Sequence, residues 1–207
     1  MLVANYFTMT ELHKNSDILI GVLLGDASLQ TYTHGRTWRL RFIQSEIHKD
    51  YLYHLYDCFQ FIVKTPPRKS VDSSGYPRWY FNTVVCPELN HFAELFYTSK
   101  NRKIVPSNIQ DYFTDRSLAY WFMDDGSLKS NTSAYIFCTD SFSLEELQIL
   151  KELFIAKYNV YPSFHKQRKG QYRLYIPTKY FPTLKKIMEP HIHVSFKYKL
   201  QHSLSNK

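Results

Sequence analysis

SLAYWFMDDGS, residues 117–127, is an apolar run that ends on two acids and a glycine. An earlier run, ILIGVLLGDAS at residues 18–28, breaks off in the same way at Asp26. Asp125 follows Asp26 by 99 positions, and the text around the two acids also corresponds. RTWRLRF and then Gln44 follow the first run; SAYIFCT and then Asp140, 96 positions after Gln44, follow the second. GYPRWYF from Gly75 matches GQYRLYI from Gly170, 95 apart, and Lys103 matches Lys199, 96 apart. Anchors that keep nearly one offset are the mark of an internal repeat. The chain therefore reads as two copies of one unit, residues 1–108 and 109–207, joined across Pro106 to Thr114.

Each copy reads as helix, hairpin, helix, hairpin, helix, an α+β pattern. Asn15-Ser16-Asp17 and Thr114-Asp115 offer N-caps for the apolar helices. WRLRF alternates, with Arg39 and Arg41 on one face and Trp38, Leu40 and Phe42 on the other. Arg173 and Tyr175 alternate in the same way with Tyr172, Leu174 and Ile176. Ser143 and Glu146 have the spacing of a capping box. Pro66-Pro67, Ser73-Ser74-Gly75 and Lys169-Gly170 are turn signals.

The two acids carry the chemistry. A helix C-terminus is the negative end of its dipole, so a carboxylate there is disfavoured without a counter-charge. Two such acids at equivalent repeat positions, on helices packed about a pseudo-two-fold axis, would converge and need a cation. Oxygen ligands of this kind suit Mg²⁺, Ca²⁺ or Mn²⁺. Gly21 and Gly25 lie four apart on one helix face and admit a second backbone. Tyr120 and Asp124 stand at the matching places of the second copy, so the two copies are related but not interchangeable.

Composition narrows the partner. Among 207 residues, 26 Lys and Arg oppose 18 Asp and Glu, a net charge of +8 that favours a polyanion. With 44% hydrophobic and 21% charged residues, disorder and collagen-like order are excluded. The apolar run at 18–24 is far shorter than the roughly 20 residues a membrane helix needs. No secretory signal is visible, nor is an organelle presequence, since the first 35 residues lack arginine. Cys58, Cys86 and Cys138 form no CxxC pair and read as reduced core thiols. Fifteen Phe and 17 Tyr against six Gly fit an AT-rich, organellar genome.

ILIGVLLGDAS and SLAYWFMDDGS resemble the paired signature of the LAGLIDADG homing endonucleases, and specifically the single-chain branch with two motifs. The resemblance runs from about Asp17 to Leu200. The second motif is the more specific; the first has Leu24 where the signature has its first acid and Ala27 where it ends in glycine. The resemblance implies two αββαββα units whose sheets form a saddle over DNA. It implies that Asp26 and Asp125 are the metal-binding catalytic pair, with coordination completed by the carbonyls of Gly25 and Asp124. Lys103 and Lys199 then stand beside the scissile phosphates, and Gln44 and Asp140 organise metal or water. The implied enzyme is a Mg²⁺-dependent monomeric DNA endonuclease. Mn²⁺ would substitute, and Ca²⁺ would bind without supporting cleavage. Cuts across the minor groove would leave short 3′ overhangs.

A two-stranded ribbon fits the major groove. Arg36, Arg39, Arg41, Arg78, Lys166, Arg168, Lys169 and Arg173 are the expected DNA contacts, with Gln30, Thr37, Asn82 and Gln171 as polar additions. His191-x-His193 has no partner at zinc spacing and reads as structural. Tyr51, Tyr53 and Tyr56 read as packing groups, and Glu145 and Glu146 as first-turn acids. The competing function is an intron RNA maturase, with host-intron RNA as partner; a third is a DNA-binding regulator that kept only the fold. The expected location is organellar, mitochondrion or chloroplast, with no membrane association.

Overall fold

The computed structural model of the protein describes residues 10–129 and 132–201. Two compact units result. Among the described residues, the first holds those up to Leu19 together with Asp26–Lys103; the second holds Ile20–Gly25 and those from Ile104.

The first repeat runs in the order α1 (Ser16–Leu24, of which Ile20–Leu24 belong to the second unit), β1 (Ser28–Gln30), β2 (Arg39–Ser45), α2 (Lys49–Phe59), β3 (Arg68–Val71), β4 (Pro77–Asn82) and α3 (Leu89–Phe96). The strands form an antiparallel sheet in the order β1-β2-β4-β3. The alternation of WRLRF survives intact, because Leu40, Phe42 and Gln44 are buried and Arg39 and Arg41 are not. Phe42 stacks on Phe81 at 4.6 Å and on Phe59 of α2 at 5.3 Å between centroids, which places the core between α2 and this face. Burying each such phenyl ring contributes about 1.5–3 kcal/mol. Tyr51 is fully buried and Tyr56 is half-buried edge-on against Phe81, so both pack, whereas Tyr53 is exposed and only its edge meets Trp79.

In the second unit the order repeats as α4 (Asp115–Asp125), β5 (Gly126–Leu128), β6 (Tyr135–Phe137), α5 (Leu144–Tyr158), β7 (Ser163–Lys166), β8 (Tyr172–Ile176) and α6 (Phe181–Met188). Its sheet has the matching order β5-β6-β8-β7. Trp121 of α4 lies 4.4 Å from Phe137, which meets Phe154 of α5 at 5.8 Å. Both expected caps form. Thr114 accepts from Ser117 N at 3.2 Å, and Ser143 and Glu146 close a reciprocal box, with Ser143 N donating to Glu146 Oε2 at 2.6 Å. Each cap is worth about 1 kcal/mol. The Lys169-Gly170 turn has both residues left-handed, with φ of 61° and 76°.

Two local expectations are corrected. Helical backbone already runs through residues 10–14, so Asn15 is not a free-standing N-cap. Its amide instead donates back to Glu11 O at 3.2 Å and across to Cys58 O at 3.0 Å. Of the three thiols only Cys86 is a core residue. Cys58 is half-buried, and Cys138 is exposed just beyond β6.

Candidate active site and nucleic-acid interface

The glycine spacing of α1 is explained inside the second unit. A Cβ on Gly21 would lie 2.5 Å from Ser117 O, and one on Gly25 would lie 2.5 Å from Asp124 Cβ. Only hydrogen fits at that separation. The last turn of α1 therefore runs backbone-close along α4, and its partners include Tyr120 and Asp124, the residues that replace glycine in the second copy.

Asp26 is exposed, two residues past the last helical residue of α1. Gln44, only 7% exposed on the core side of β2, donates from Nε2 to Asp26 Oδ2 at 3.1 Å. The ammonium of Lys103 donates to Ala27 O at 2.9 Å, one residue beyond that acid. Three of the sequence-named residues, Asp26, Gln44 and Lys103, are thus gathered at one end of the first unit.

The second unit departs from this pattern. Asp125 is the last residue of α4 and is half-buried. Lys199 donates to Met123 O at 2.7 Å, on the residue two before the acid. Asp140, the counterpart of Gln44, is held by Arg173. Arg173 Nη2 donates to Oδ2 at 2.7 Å, and Nε reaches both oxygens at 3.1 Å. That fork raises the arginine above its ordinary value, against the opposing effect of burial. A residue expected to organise water and a residue expected to contact DNA are therefore each other's partners.

The strand faces sort the expected DNA contacts. Opposite pairs in an antiparallel ladder project on the same side. Arg39 faces Gln30, Arg41 faces Ser28 and Asn82, and Arg78 faces Ser45 and Ser70, all on the side away from Phe42. Arg68 and Tyr80 share that face through their pairing with each other and with Ile43. Sequence pattern alone misses both; Tyr80 shares the parity of Arg78 two residues earlier on β4, and Arg68 joins that face only through the β3–β4 register. Arg36 sits in the turn before β2 and donates to Thr33 O at 3.2 Å. On the second sheet Arg173 is opposite His165, and Tyr175 is opposite Ile136 and Ser163. His165 stacks on Tyr175 at 3.9 Å. Lys166 pairs with Tyr172 and so takes the other parity, while Arg168 and Lys169 are exposed at the hairpin tip.

His193 Nδ1 lies 2.8 Å from Ser195 Oγ and accepts from Ser195 N, a local structural role. Among the described residues no cluster of three or more His, Cys, Asp or Glu forms a metal centre. The ends of α1 and α4 carry carboxylates and main-chain carbonyls as oxygen donors. These are hard ligands, and their chemistry fits a hard divalent cation.

Residues 16–184 match the LAGLIDADG DNA endonuclease family. The chain belongs to that family. It is 32% identical over 210 residues to the DNA endonuclease I-ChuI of Chlamydomonas applanata, covering 93% of this chain and 96% of that one. It is 30% identical to the cytochrome b mRNA maturase bI2 of Debaryomyces hansenii, covering 89% and 72%. Among solved structures, the homing endonuclease I-WcaI bound to its DNA recognition sequence superposes with a TM-score of 0.83 at 28% identity, covering 92% of this chain and 87% of that one. As a LAGLIDADG protein the chain has the two-repeat α+β architecture that its sequence announced.

Proposed function

We propose that this LAGLIDADG protein is a site-specific endonuclease that makes a metal-dependent double-strand break in DNA. The observation that carries the reading is a carboxylate at or just past the end of each motif helix with a lysine bound to a nearby carbonyl: Asp26 with Lys103 at Ala27, and Asp125 with Lys199 at Met123. Similarity to proteins named as DNA endonucleases supports it.

Asp26 and Asp125, with the carbonyls of Gly25 and Asp124, would hold Mg²⁺, with Mn²⁺ as a substitute and Ca²⁺ as a ligand that does not support cleavage. The ion supplies charge relief at the scissile phosphate and a nucleophilic water. The rest is the work of the chain. Gln44 donates to one oxygen of Asp26 and so fixes the direction of the other. The ammonium groups of Lys103 and Lys199 offer fixed positive charge to the phosphate as charge develops in the transition state. The arginines on the open sheet faces bind groove edges and phosphates and set the register of the duplex. One acid per repeat corresponds to one cut per strand, and the two repeats of one chain suffice without a second copy.

The maturase reading stays as an alternative because a cytochrome b mRNA maturase covers most of this chain at 30% identity. That relative also supports an intron-borne, organellar reading frame. The test is incubation with intron-free host DNA across the insertion junction in Mg²⁺. One discrete double-strand cut, blocked by EDTA, supports the endonuclease. No cut, with tight binding of the intron transcript, supports the maturase.

A further inference from the structure

Tyr32 is 75% exposed, yet it is engaged. Its hydroxyl accepts from Arg39 Nη2 at 2.8 Å, and its ring lies 4.8 Å beneath the same guanidinium. Gln30 Oε1 accepts from the same Nη2 at 3.2 Å. Gln30 is the direct cross-strand partner of Arg39, so two short strands, β1 and β2, and the residue after next converge on one cation. Both acceptors are neutral, so neither offsets the positive charge of Arg39, whereas the charge of Arg173 is paired with the Asp140 carboxylate. Arg41 rests over Tyr80 at 5.1 Å, and Arg78 spends Nε on Ser70; neither is held from two sides as Arg39 is.

Five donors leave a guanidinium. Nη2 is used by Gln30 and Tyr32, and Nε is buried with no partner. The Nη1 donors remain, on a group whose orientation is already fixed. Beside it lies a cavity of about 200 Å³ lined by Arg39, Lys64, Arg68, Tyr80 and Asn82 among others, with no acid in its wall. A fixed donor beside a recess whose charged side chains, Arg39, Lys64 and Arg68, are all cationic suits an acceptor-rich edge flanked by phosphate. In the major groove that edge is guanine, which presents O6 and N7 as acceptors, whereas adenine presents one acceptor and one donor.

We propose that Tyr32 and Gln30 act as positioning residues that hold Arg39 as a reader of one guanine in the target. The proposal rests on the endonuclease reading and deepens it. Lys64 and Arg68 then take the backbone phosphate beside that base.

The probe is a duplex library randomised across the cleavage site, sequenced after binding or cutting. Arg39→Lys is expected to flatten a guanine preference at one position by about tenfold, the scale of one good base contact. Tyr32→Ala is expected to flatten the same position and no other. Tyr32→Phe, which keeps the ring and loses the hydroxyl, is expected to fall between Tyr32→Ala and the parent. Thermal melting of each variant controls for folding. The proposal is overturned if Tyr32→Ala leaves the profile unchanged, weakens all sequences equally, or alters a position other than the one Arg39→Lys alters. It is also overturned if the affected position prefers a base other than guanine. A parent protein with no preference at any position would instead sink the endonuclease reading itself.

Discussion

Gln44 Nε2 donates to Asp26 Oδ2 across 3.1 Å, from a buried strand position to an exposed acid. The amide neither neutralises the carboxylate nor competes with it for a cation. It holds one oxygen and leaves the acid its charge. At the matching place of the second repeat Asp140 is turned to Arg173, so the two repeats use this position differently.

Gln44→Leu should lower the cleavage rate, by about ten- to a hundredfold, as loss of an orienting partner of a metal ligand does. Target affinity without divalent ions should be unchanged, because Gln44 is on the core side of the sheet. Single-turnover rates and gel-shift affinities in EDTA separate the two quantities. Equal losses in both would point to misfolding of the sheet.

Gly21→Ala should destabilise the protein without touching the acids. The added methyl would stand 2.5 Å from Ser117 O, a backbone atom that cannot swing aside. Overpacking of this kind costs about 1–3 kcal/mol, and for a chain of this length each kcal/mol lowers Tm by roughly 2–4 °C. Differential scanning calorimetry measures it. An unchanged Tm would mean that α1 and α4 are not so closely apposed.

Arg168 and Lys169 form the exposed tip of the β7–β8 hairpin, with Lys169 in a left-handed conformation that projects the turn. Each neutralises a backbone phosphate in this account. Replacing either with alanine should make the slope of log affinity against log salt shallower by about one. Affinity should weaken uniformly across target sequences. A sequence-dependent weakening would make them base readers instead.

The thiols should differ sharply in reactivity. Burial, reinforced by the hydrogen bond to Glu88 at 2.7 Å, pushes the Cys86 thiol up from 9.0 to about 12. A raised folded value means that the neutral thiol stabilises the fold fully below pH 9 and that this contribution fades as pH climbs toward 12. At pH 8 iodoacetamide should therefore modify exposed Cys138 first and leave Cys86 untouched until the protein unfolds. Peptide mass mapping over time reads the order. Early labelling of Cys86 would contradict the burial.

Much of the fold is legible in the sequence, for physical reasons. The repeat is visible because both copies need the same apolar helix, the same turn and the same strand alternation. The Ser143 and Glu146 cap is visible because reciprocal capping is local. Asp140 can be found through its counterpart Gln44, but its partner Arg173 is 33 positions away. Only the β6–β8 pairing brings them together, and no local pattern encodes it. Arg68 and Tyr80 escape notice for a related reason: each gains its meaning from a cross-strand register. Cys138 reads as a core thiol because hydrophobicity alone places cysteine inside, whereas its position just past the end of β6 turns it outward.

The central claim is that Asp26 and Asp125 carry the chemistry and not the binding. The direct measurement is cleavage of the supercoiled target plasmid by Asp26→Asn and by Asp125→Asn in Mg²⁺, alongside gel-shift affinity for the same site. Neither variant should yield linear product, and the affinity of each should stay within a few-fold of the parent. Linearisation at the parental rate by either variant would show that the replaced acid is not part of the active centre.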